Sequence, residues 1–109
     1  MTQDEVSLLS DQELRSMSHR VAEFWSFRPD DKARLRHATG LCWNPLIDIS
    51  QAMLLAALMD MNICFGDKVV LVSEPNSAQS RSIDYTNAGR ISAMQRAITL
   101  LAADSADYI

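Results

Sequence analysis

The chain has 109 residues, 48% of them hydrophobic, with only three glycines and three prolines. That is the make-up of one folded globular domain and excludes a disordered or repetitive segment. A formal net charge of −4 weighs against general nucleic-acid binding, whose affinity comes chiefly from neutralised phosphates. No apolar run reaches the ~20 residues of a membrane span, and the acidic start MTQDEVSLLSDQE is unlike a basic leader, so a cytoplasmic location is expected.

Residues 1–9 are polar and acidic apart from Val6, Leu8 and Leu9, and are expected to be frayed until they dock. Ser10-Asp-Gln-Glu13 is a capping box, in which the hydroxyl and the carboxylate each take a backbone donor, and Leu9 with Leu14 has the spacing of a hydrophobic staple. Leu14, Met17, Val21, Phe24 and Trp25 then recur at helical spacing, which predicts that they share a buried face opposite Arg15, Ser16, His19, Arg20 and Glu23. This helix stops before Pro29. Residues 28–42 form a variable, locally basic segment in which Asp30 could cap a short helical turn ended by Gly40; loop and short helix both remain open.

Asn44-Pro45 makes a second stop, and Asp48 is a good N-cap for a helix running to Met61. Ile49, Met53, Leu54, Leu55, Leu58, Met59 and Met61 leave this helix few polar positions, which predicts packing on more than one side. Asn62–Phe65 and Lys68–Val72 read as a hairpin turning at Gly66-Asp67, with glycine supplying a positive φ and Cys64 lying near Val69. Beyond the polar cluster Glu74–Ser80, Arg81–Tyr85 alternates as a third strand. Thr86 or Asn87 then caps a last helix through Ile91, Met94, Ile98 and Leu101, with Gly89 weakening its first turn and Asp104 and Asp107 in a frayed acidic end. The expected fold is therefore α+β, a small three-stranded antiparallel sheet packed with three helices in the order α-α-β-β-β-α. It forms a single domain, 1–109, with its core in 43–104 and its densest apolar run in Trp43–Glu74. A domain this small gains from burying more surface against a second copy, so a homo-oligomer, a dimer first, is expected.

Cys42 and Cys64, both in apolar surroundings, read as small reduced hydrophobes, and neither has a metal-ligand neighbour at the right spacing. His19 and His37 lack a catalytic pattern around them and read as surface residues. The serines lie in no nucleophile turn, and the glycines in no phosphate-cradling loop. A cap, an exposed helix position and a turn account for Asp48, Asp60 and Asp67. The methionines Met53, Met59, Met61 and Met94 read as core filler before an adaptable surface. An enzyme is thus disfavoured, and no cofactor or metal is expected. The candidate binding residues are Arg28, Lys32, Arg34, Arg36 and His37, read with Trp43 because guanidinium groups beside an aromatic suit anion and interface sites. The alternative is an acidic face at Asp11, Glu13 and Glu23.

At Trp43-Asn-Pro-Leu46, followed by a cap, an alanine-rich helix, a hairpin and a last helix with Ala93-Met-Gln-Arg-Ala-Ile98, the chain resembles small phage-encoded accessory proteins of the NinX-like, α/β/α-sandwich group. The likeness covers about Leu41 to Ala103. It departs at Ile49-Ser50, where a second aspartate would stand, and in the long basic insert before Trp43. The resemblance implies an α+β phage or prophage product in the host cytoplasm, with no residue role to carry over. Such a protein is expected to bind and block a host protein or complex, with a host defence system as one candidate; the other expectation is an oligomer that sequesters an anionic, nucleotide-like ligand.

Overall fold

The computed structural model describes residues 1–75, 79–86 and 89–108, with Tyr108 described in backbone only. Its fold is α+β, a three-stranded antiparallel sheet with helices packed around it. The helices are α1 (Gln3–Ser7), α2 (Asp11–Trp25), α3 (Pro29–Gly40), α4 (Ile49–Leu58) and α5 (Arg90–Asp104), and the strands are β1 (Asn62–Gly66), β2 (Val69–Ser73) and β3 (Ser80–Asp84).

The start of the chain is ordered, not frayed. Thr2 and Glu5 form a capping box around α1, and Val6 is buried with Leu14, Leu100 and Ala103. The amino group of Met1 also reaches the Asp107 carboxylate. The Ser10/Glu13 capping box of α2 is present, and Leu9 packs beside Leu14 as the staple requires. The inner face of α2, however, is Leu14, Ser18, Val21 and Ala22. Phe24 and Trp25 are on the outside.

The variable segment is a helix throughout its middle. Arg28, not Asp30, is the N-cap of α3, Pro29 fills the first turn, and Asp30 and Asp31 sit at the positive end of the helix dipole. Leu35 and Ala38 are buried. The chain leaves α3 through Cys42 at φ 76°, and Gln51 secures the exit. Its amide nitrogen donates to Ala38 O and Cys42 O, and its oxygen accepts from Asn44 N.

Helix α4 has its Asp48 cap but ends at Leu58, with Asp60 at φ 53° just past it. Met61 N donates to Ala56 O and Asp60 N to Ala57 O, a Schellman ending that explains Asp60 better than an exposed helix position does. As its apolar content predicts, α4 packs against more than one neighbour, α2, α3 and α5, through Gln51, Ala52, Leu55, Ala56 and Met59 with Leu54 and Leu58 partly buried; Ile49 and Met53 face out. Ile49 and Met53 are the part of the apolar surplus that the described residues leave uncovered.

The hairpin forms one residue later than its glycine suggests. Gly66 pairs with Val69 inside the ladder and Cys64 with Leu71, so the turn is Asp67-Lys68 and the positive φ, 56°, belongs to Lys68. The third strand is where it was expected, with Ile83 and Tyr85 both packed against the core.

Helix α5 is the central element. It packs against α1, α2, α4, β2 and β3, and it is buried almost all round from Ala93 to Asp104. Gly89 is its N-cap, so it does not weaken the first turn; Thr86 N instead takes the Asp84 carboxylate, and Asn87 lies outside the described residues. The end of α5 is not frayed: Asp104 is bound by the Arg81 Nε and Nη2 atoms at 2.7 and 2.6 Å. Arg81 also donates to Ser7 Oγ and Gln3 O, and Gln3 Nε2 donates to Asp104. One guanidinium thus ties α1 and β3 to the carboxyl end of α5.

Candidate functional site

Trp43 does not stand with the basic residues on a surface. It is buried, its indole nitrogen donates to Ser18 Oγ at 3.1 Å, and its ring meets the His19 ring edge-on at 5.6 Å. It forms the floor of an open recess of about 430 Å³ lined also by Gln12, Arg15, Ser16, His19 and Thr39. Arg15 is held there by bonds from Nε to Trp43 O and from Nη2 to Cys42 Sγ.

His19, expected on the open surface, is half-buried between two partners. Its Nδ1 lies 2.8 Å from Glu23 and its Nε2 2.9 Å from Thr39 Oγ1. A carboxylate, an imidazole and a hydroxyl in line could suggest nucleophilic catalysis. Here, however, the Thr39 hydroxyl donates to Leu35 O at 2.8 Å, a back-bond within α3, and its proton is not offered to an incoming group. The chain of contacts reads as a clamp between α2 and α3.

The basic side chains are all exposed on α3, but they divide between its flanks. At about 100° per residue, Lys32 and Arg36 fall on the side of Thr39, which faces α2, whereas Arg34 and His37 fall on the side of Leu41. Arg28 precedes the first turn. Among the described residues, none of Arg28, Lys32, Arg34 and Arg36 meets a carboxylate. These four cations accompany only two aspartates in residues 28–40 of a chain with net charge −4, so α3 is a basic ridge on an acidic protein.

The aromatic groups beside that ridge come from the end of α2. Phe24, Trp25 and Phe27 are 53%, 39% and 68% exposed, and the Phe24 and Trp25 rings stack edge to face at 5.4 Å. Ser26 turns the chain between them with its own side chain buried, its hydroxyl donating to Glu23 O, and Phe27 runs directly into Arg28. Phe24 also borders a recess with Arg20, Glu23, Ala106 and Asp107. The helical periodicity of α2 had placed Phe24 and Trp25 inside. The available signal was the density of Phe-Trp-Ser-Phe at a helix end, more aromatic surface than one stripe can bury.

The alternative acidic face is already engaged. Glu13 serves the Ser10 cap, Glu23 holds His19, and Asp11 lies 3.5 Å from Arg96. Cys42 and Cys64 are free and, contrary to expectation, exposed. Of the methionines, Met59 and Met94 are core and Met53 is exposed. Among the described residues no helix is long and apolar enough to cross a membrane, and no three metal-ligating side chains converge. The fold and the exposed corner define a small α+β domain with an aromatic and basic surface. No family model, curated protein or solved structure matches the chain.

Proposed function

We propose that this chain is a non-enzymatic binding protein that occupies an acidic, partly apolar surface of a protein partner with the corner between α2 and α3. The observation that carries this is the exposure of Phe24, Trp25 and Phe27 where the chain runs into Arg28 and a helix whose exposed Lys32 and Arg36 meet no carboxylate among the described residues. Large aromatics left in water are unfavourable for an isolated monomer, and aromatic residues with arginine dominate the energetics of interfaces. The opposite sign of α3 to the rest of the molecule selects an acidic partner and speeds its approach. The motif resemblance at Trp43–Leu46 and Ala93–Ile98 supports a phage accessory protein acting in the host cytoplasm, with a host defence complex as one candidate partner.

The test is affinity capture from bacterial lysate with the wild-type chain, a Trp25→Ala/Phe27→Ser variant and a Lys32→Glu/Arg36→Glu variant. Both variants should keep the wild-type unfolding temperature, because every altered side chain is exposed, yet lose the captured partner. The charge variant's loss should be largest at low salt, where steering is strongest. A partner retained by both variants would place the interface elsewhere.

The recess at Arg15 and Trp43 favours a second reading, a small anionic ligand. The same eluates, denatured and examined for small molecules, decide it: a ligand lost in Arg15→Ala but kept in the corner variants would support that reading against the first.

A further inference from the structure

We propose that the outer edge of β1 is a self-association surface, on which β1 of a second copy adds antiparallel to join the two three-stranded sheets into one.

The backbone shows what that edge offers. Tyr85 N donates to Lys68 O at 2.9 Å, and Val69 lies opposite Asp84 in the ladder, so Lys68, Val70 and Val72 turn their N–H and C=O groups toward β3. Val69, Leu71 and Ser73 therefore turn theirs toward β1, where they meet Gly66, Cys64 and Asn62. The residues between, Ile63 and Phe65, direct two donors and two acceptors outward. Among the described residues no backbone group meets them.

Sheet edges are ordinarily guarded by charge, proline, a bulge or a covering element. The β3 edge is guarded: it carries Arg81 and Asp84, and Gln3 of α1 donates to Ser80 O. The β1 strand, Asn-Ile-Cys-Phe-Gly, has no charge, proline or bulge of its own; the Arg90 guanidinium lies over the Phe65 ring at 5.8 Å.

A second copy fits this edge by its own sequence. With the two-fold axis at Cys64, Ile63 of each copy lies opposite Phe65 of the other, and each such pair exchanges both of its backbone hydrogen bonds. All the outward groups of both strands are then satisfied. The strands are neutral, and each Ile63–Phe65 pair sets a β-branched side chain opposite an aromatic one. Moving the axis to Ile63 sets Phe65 opposite Met61, and moving it to Phe65 sets Ile63 opposite Asp67. Both shifts lose backbone hydrogen bonds, because Met61 N already donates to Ala56 O and Asp67 lies in the turn.

Cys64 shares the uncovered sheet face with Leu71 and Ser82. On the axis it would sit in a non-hydrogen-bonded pair with its copy at about 4.5 Å between Cα atoms, a spacing within the disulfide range.

Sedimentation velocity from micromolar to sub-millimolar concentration should show a monomer–dimer equilibrium. Cys64→Lys, exposed and on the axis, should raise the dimer Kd about tenfold or more while circular dichroism stays unchanged. In a Cys42→Ser background, copper–phenanthroline should give a reducible covalent dimer that Cys64→Ser abolishes. A monomer over the whole range would overturn the proposal. So would a dimer indifferent to Cys64→Lys and dissolved by Met53→Lys, which would place the contact on the outer face of α4.

Discussion

The pair Arg81–Asp104 invites a double-mutant cycle whose outcome depends on where its energy comes from. The two side chains are 10% and 2% exposed, and Asp104 ends α5, where a carboxylate faces the negative pole of the helix dipole. Removing the guanidinium by Arg81→Met would leave that carboxylate, among the described residues, with Gln3 Nε2 as a remaining donor. An uncompensated buried charge of this kind costs about 3–5 kcal/mol, which for a domain of this size lowers the melting temperature by on the order of 15–25 °C. Asp104→Leu should cost a similar amount by stranding Arg81. The double variant removes both charges and should recover to within about 1–2 kcal/mol of wild type, since a buried ion pair replaced by apolar groups of similar volume is close to neutral. Urea and thermal unfolding of the four proteins give the coupling energy. Additive losses in the double variant would refute the reasoning, showing that the residues matter for packing and not as compensating charges.

Three further expectations can be checked on the same material. Asp60 and Lys68, at φ 53° and 56°, hold conformations that favour glycine, so Asp60→Gly and Lys68→Gly should each gain on the order of 0.5–1 kcal/mol in urea unfolding. Leu55→Ala should cost about 2–5 kcal/mol and Leu58→Ala clearly less, because Leu55 is fully buried and Leu58 only partly; equal losses would misplace the inner face of α4. The Asp84 carboxyl is held below its ordinary 3.8 by hydrogen bonds from the Thr86 side chain and backbone, with Lys68 adding to the effect. A depressed native value means a contribution to stability that is complete above the ordinary value and lost as pH falls through the native one; the carboxyl resonance should titrate below 3.8, and Thr86→Val should move it back up.

The elements were legible because their signals are local. The Ser10/Glu13 box, the Asp48 cap and the β-branched run Val69–Val72 each depend on neighbours a few residues away, and each has its expected structural counterpart. What was misjudged depends on partners far along the chain. Helix α5 is buried through Ala93, Ala97, Thr99, Ala102 and Ala103, small residues that let neighbours approach from several sides; the long apolar run of 43–74 looked more central because apolarity, not size, is what a hydropathy pattern registers. Phe24 and Trp25 close α2 just past Val21 and Ala22, the last residues of its inner face, and helical spacing does not register where along a helix the core ends. The basic residues were placed in one segment correctly, but the aromatic that accompanies them is Trp25 with its phenylalanines, not Trp43.

The position of α5 in the chain bears on how the protein is made. Its partners α1, α2, α4, β2 and β3 all precede it, so a growing polypeptide displays Leu14, Val21, Leu55, Val70 and Val72 with nothing to close over them until residues 90–104 have been synthesised. Packing is then completed late and between distant segments, the pattern that slows folding and exposes sticky intermediates. For that interval the nascent chain presents an unguarded β1 edge together with an open core, and its yield in a cell should depend on chaperone supply more than the stability of the finished fold would suggest.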